Sequence, residues 1–82
     1  MKPDDAFTEE TTDPIVADER NFYKVEQWDR AEVHVVRLHY AGNTLDKARG
    51  IFDAFAKMRP RARLTIRQRA RVLDRWPRGD SR

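Results

Sequence analysis

Six arginines fall between positions 59 and 71, in the stretch RPRARLTIRQRARVL, which contains no acidic residue. A guanidinium stays charged at any physiological pH and presents forked donors that match the oxygens of a phosphate. From Leu64 onward apolar and basic residues alternate as in a strand, so Arg67, Arg69 and Arg71 are expected to project from one face at intervals of about 7 Å. Such a row is chemistry for a polyanion. The plain alternative is a solvated sheet face, on which long arginine stems cover apolar surface while their heads stay in water.

The preceding strands are expected to add to the same face. Arg37 and His39 should lie there, with Phe22, Lys24 and Trp28 beside them if Tyr23 and Val25 turn to the core. Basic and aromatic groups mixed on an open sheet suit a single strand of nucleic acid, with arginines on phosphates and a ring such as Trp28 as stacking platform. Glu26 and Glu32 are available for cross-strand ion pairs with some of these arginines. Val33 and Val35 are expected on this open face too, as exposed strand formers or as the centre of a homodimer or partner interface rimmed by arginine.

Catalysis finds little to work with. The single serine, Ser81, stands next to the end of the chain, which leaves no Ser/His/Asp constellation for the folded part. His34 and His39 are five apart and so on opposite faces of a strand, unable to ligate one metal; His34 is expected in the core and His39 at the surface. Gly50 is isolated and forms no phosphate-cradling loop. No cofactor, metal site or small-molecule substrate is indicated, and RPRAR, lacking glycine, does not match an AT-hook core.

These residues need elements to position them. NFYKVEQW and AEVHVVRLHY, separated by Asp29 and Arg30, predict two strands of a hairpin. In AGNTLDKARGIFDAFAKMRP, Asn43 or Thr44 is a preferred N-cap, and Leu45, Ala48, Phe52, Phe55 and Ala56 form one apolar stripe widened by Ile51 and Met58. Pro60 stops the helix. The arginine stretch predicts a last strand, with Leu64, Ile66, Gln68, Ala70 and Val72 toward the helix. The expected fold is α+β, ββαβ, a three-stranded sheet with one helix packed on one face. The last strand goes either beside the first (order 2-1-3, all antiparallel) or beside the second (order 1-2-3, a right-handed crossover). Apolar residues on both faces of the second strand favour the latter.

A likeness is carried by LHYAGNTLDKARGIFDAFAKMRPRARLTIRQRARVL. It resembles a group of short alphaproteobacterial proteins that share a strand pair, a helix preceded by an A-x-N-L-like cap, and a closing segment R-x-T-[LI]-R-Q-x-A-R-V. The match covers about residues 22 to 73. The resemblance implies that this stretch is one domain and transfers no catalytic or binding residue.

The chain of 82 residues has room for one domain, and its 17 basic residues are distributed unevenly against 14 acidic ones. Residues 1–19 carry seven acids against Lys2, whereas ten of the bases lie from Lys57 onward with only Asp74 and Asp80 beside them. Rich in acids and threonine and poor in large apolar groups, residues 1–19 are expected to form a disordered tail. The domain then spans 20–76, and 77–82 is expected to fray. No cysteine is present to staple so small a core, which makes dimerisation a natural remedy. MKPDDAFTEE lacks the apolar region of a signal peptide, and the expected compartment is the cytoplasm with no membrane association. The function expected from these residues is binding, not catalysis: polyanion or nucleic-acid binding of low specificity through Arg37, Arg67, Arg69, Arg71 and Trp28. The alternative is a protein-interaction or homodimerisation module using Val33 and Val35.

Overall fold

The computed structural model describes residues 10–77. The elements run α1 (Pro14–Glu19), β1 (Tyr23–Trp28), β2 (Val35–Gly42), α2 (Leu45–Met58), β3 (Arg63–Gln68) and β4 (Arg71–Trp76). The four strands form one antiparallel sheet in the order β2-β1-β3-β4, so the protein is α+β with one more strand and one more helix than expected. Of the two strand orders open to the sequence, β3 takes the place beside β1, and β2 becomes an edge.

Helix α2 forms where its stripe predicts. Thr44 is the N-cap residue, Asp46 complements the helix N-terminus and Lys57 the C-terminus. Ala48, Phe52 and Ala56 are buried against Val25, Tyr40, Leu64 and Ile66, with Leu45, Ile51 and Phe55 at the margin. Met58 is 68% exposed and lies outside the stripe. Burying Phe52 alone is worth about 1.5–3 kcal/mol by area.

The single long strand expected from residue 63 onward is two strands joined at Arg69-Ala70, with Gln68 opposite Arg71. Arg69 takes φ 54°, a left-handed conformation that is uncommon for a residue with a Cβ. Its Nε donates to the Asp18 carbonyl at 2.9 Å, which ties the turn to α1. The turn puts Val72 opposite Arg67, away from α2, where it is exposed; Leu73 sits at a register shift and packs on the core, and beyond it Asp74 and Trp76 lie opposite Ile66 and Leu64 on the α2 side. Trp76 also packs on the core, and its indole N–H donates to the Pro60 carbonyl at 3.1 Å.

Residues 14–19, expected in the acidic tail, form a helix turn for a local reason. Pro14 occupies the first turn, and the Asp13 carboxylate accepts from the Ile15 and Val16 amides. Ala17, fully buried, then seals a small second cluster with Phe22 and Ala41 against Leu38. Glu10 bridges to Gly42 and also bonds Lys47, bringing the chain onto the outer edge of β2. The rest of the expected tail, 1–9, and the C-terminal residues 78–82 lie outside the described residues.

On the sheet face opposite α2, Lys24 and Glu26 are only 1% and 3% exposed. The Lys24 ammonium bonds Asp18 of α1 and lies 3.8 Å from Glu26. The Glu26 carboxylate in turn receives both Nε and Nη2 of Arg67, at 2.7 and 2.8 Å. This paired donation holds the guanidinium firmly charged, with the Glu26 hydrogen bond as its largest cause. Removing one partner of a buried ion cluster strands the others, at a cost of about 3–5 kcal/mol. Glu26→Ala is therefore expected to lose that much in urea unfolding, and Lys24→Met less, because Glu26 keeps Arg67. Equal and small losses in both variants would show that the cluster does not hold the sheet to α1.

Candidate functional site

The four arginines and one tryptophan singled out from the sequence do not share a face. Arg67 does project from the side opposite α2, but its Nε and Nη2 are engaged by Glu26. Arg69 sits in the β3–β4 turn. Arg71 pairs with Gln68, so it belongs to the α2 side of the sheet. Arg37 is opposite Gln27, on the α2 side as well. The row is broken by the turn, and Arg37 is turned away by irregularities in the β1–β2 register at Val25/Glu26 and Gln27/Trp28. Trp28 remains on the face opposite α2, where its indole N–H donates to Thr65 Oγ1 at 2.9 Å and the Arg67 guanidinium lies 5.7 Å from its ring.

His34, expected in the core, is exposed, and His39, expected at the surface, is half-buried. β2 begins at Val35, so His34 stands in the loop before it, beside Asp29 at 3.3 Å. The Val33 amide, and then His34, hold the half-buried Asp29 carboxyl below its ordinary range. His39 is brought to the α2 side by the register shift and stacks on Phe55, with ring centroids 3.9 Å apart. Its Nε2 lies 2.9 Å from Gln27 Oε1. Val33, also in the loop, is 62% exposed, and Val35 and Val36 at the start of edge strand β2 are exposed as well.

What the fold does assemble is a path of cations around one end of the sheet. The C-terminal end of β1, the start of β2, the exit of α2 and the start of β3 all meet there. A shallow depression lined by Arg37, His39, Phe55 and Arg59 shares Gln27 and Arg59 with the next, which adds Arg61. That one shares Arg61 and Pro60 with a third, lined also by Arg30, Trp28 and Arg63. The third runs through Trp28, Arg63 and Pro77 into a groove on the face opposite α2, where Arg67 and Arg75 join. Glu32 is the one acidic residue along this path among the described residues, and it is paired with Arg63 at 2.9 Å. Arg59 and Arg61, at the helix exit and in the turn after it, are not among the residues singled out from the sequence. The signal available was the excess of base over acid after Lys57, without its location.

The path has an electrostatic signature at His39. Its pKa lies below the ordinary 6.5, first because the ring is desolvated and next because Arg37 and Arg59 repel its charged form. No group of three metal-ligating side chains occurs among the described residues, and no helix among them is long and apolar enough to cross a membrane.

A histidine held neutral by the fold destabilises that fold in acid, because the unfolded chain takes up the proton first. The His39 contribution is fully present above pH 6.5 and is lost as pH falls from there toward the lowered folded value. Unfolding free energy measured from pH 7.5 to 5 should therefore decline less steeply in His39→Gln than in the parent. An identical decline in both would remove His39 as a reporter of the arginine field.

No protein-family model matches the chain, and no curated protein or solved structure shows a significant match to it.

Proposed function

We propose that the protein binds a single-stranded polyanion, nucleic acid in the first place, with low sequence specificity and without catalysing a reaction on it. The contact surface in this reading is the arginine path at the end of the sheet, not a row along one face. The observation that carries it is the continuity of that path: Arg37, Arg59 and Arg61 follow one another through adjoining depressions and have no carboxylate partner among the described residues. Surface arginines are commonly neutralised by neighbouring acids, and here the repulsion reaches a histidine. A flexible chain of phosphates can follow such a path where a rigid globular partner needs a flat patch.

Phosphate contacts release counterions, so the logarithm of the affinity for an oligothymidylate should fall linearly with the logarithm of salt, by about 0.7 per contact for a single strand. The double variant Arg59→Gln/Arg61→Gln is expected to bind more weakly and to lower that slope by about 1.4. Both residues are exposed and outside the core, so folding should be retained. Binding that ignores salt, or that survives the double variant unchanged, contradicts the reading.

A second reading rests on the exposed valines. Val35 and Val36 are exposed on an edge strand, with Val33 exposed in the loop before it, and edges with free backbone groups invite pairing with a second copy. In that case sedimentation shows a dimer that Val35→Lys dissociates and the arginine variants leave intact; a monomer at high concentration removes it.

A further inference from the structure

We infer that the groove at the far end of the arginine path holds one nucleobase of the bound strand, so that binding depends on bases as well as on phosphate. The inference rests on the proposed polyanion binding and names what a particular site would take. The groove, about 270 Å³ in volume, lies between β1, β3 and β4 on the face opposite α2 and is lined by Trp28, Thr65, Arg67, Val72 and Trp76. That volume falls just under the range of about 300–1,000 Å³ usual for sites that enclose drug-sized ligands. It suits one planar ring system.

Two planar groups lining the groove are fixed in advance. Thr65 holds the Trp28 indole through its N–H, and Glu26 holds the Arg67 guanidinium through Nε and Nη2. Neither has to be immobilised when a ligand arrives, which removes part of the ordering cost of binding. Bases stack on tryptophan rings and on guanidinium planes alike. Nη1 of Arg67 has no hydrogen bond among those described and is a spare donor on a side chain that lines the groove. Glu26, which does not line the groove, acts here as a positioning residue.

Continuity chooses the occupant. Trp28, Arg63 and Pro77 line both this groove and the neighbouring depression of the path, so a strand with a phosphate on Arg61 runs past the mouth of the groove. A base on that strand is therefore delivered to Trp28 and Arg67 at high local concentration.

The test compares oligothymidylate with an abasic oligomer of equal length on the full chain, at several salt concentrations, by fluorescence anisotropy of the labelled oligomer. Tryptophan emission reports in parallel, because Trp28 and Trp76 are the only two tryptophans and both line the groove. The base-bearing oligomer should bind about tenfold more tightly and quench the tryptophans, while the salt slope is the same for both. Val72 is 45% exposed, so Val72→Trp fills the groove without entering the core. It should bring the base-bearing oligomer down to the affinity of the abasic one and leave the latter unchanged. Equal affinities for the parent protein overturn the base site while polyanion binding stands, and this comparison needs no variant to fold. Failure of both oligomers to bind at low salt overturns the polyanion reading and the base site with it. Quenching by citrate equal to that by the oligomer assigns the groove to a free anion, which also overturns the inference.

Discussion

The structure depends on a set of charges withdrawn from water on the sheet face that α2 does not cover. Lys24 and Glu26 are adjacent outward positions on the central strand β1, and both are buried as deeply as the hydrophobic core. An ammonium or carboxylate removed from water is costly unless its partners are close and well aligned. Here Lys24 is met by Asp18 and Glu26, and Glu26 by Arg67, Lys24 and the Thr65 hydroxyl. These contacts link three separate elements. Asp18 belongs to α1, Lys24 and Glu26 to β1, and Thr65 and Arg67 to β3, so satisfying the charges requires the helix turn and both strands to dock together.

Several other features follow from that requirement. α1 is too short to be stable alone, and its position is held by Ala17 in the second cluster and by the contacts from Lys24 and Arg69 to Asp18. The β3–β4 turn accepts a left-handed arginine where glycine would be easier, and that same arginine ties it to α1. With Arg67 engaged by Glu26 and Arg69 by the Asp18 carbonyl, Arg37, Arg59 and Arg61, left without internal acids, lie together at the other end of the strands, where β1 ends and β3 begins. The sheet thus separates structural cations from those available to a ligand, and Arg67 touches both groups.

Much of the framework was legible in the sequence, because α2 and the first two strands follow simple periodicity. Leu45, Ala48, Phe52 and Ala56 name their face without tertiary knowledge. The hairpin at Arg69-Ala70 was hidden because neither residue is a usual turn former and the apolar alternation runs on through it from Leu64 to Val72. α1 had a local signal in Asp13-Pro14, an N-cap followed by proline, which the acidic composition around it obscured. Strand order could not be read at all, since the apolar outer face of β2 is covered by Ala17 and Phe22 and not by a neighbouring strand. The candidate site was legible only as an imbalance of charge. Arg37, Arg59 and Arg61 come from different elements, and a register shift decides which side Arg37 takes.

In the proposed reading the cations gathered at the end of the sheet, and not the buried ion cluster on its face, meet the phosphates of the ligand. Amide chemical-shift mapping by NMR during titration with oligothymidylate addresses this most directly. Perturbations are expected at Gln27, Arg37, Arg59, Arg61 and Arg63, with α1 and the amides of Lys24 and Val25 undisturbed. Shifts confined to α1 and the Gly42 end of β2, or no shifts at low salt, would contradict it.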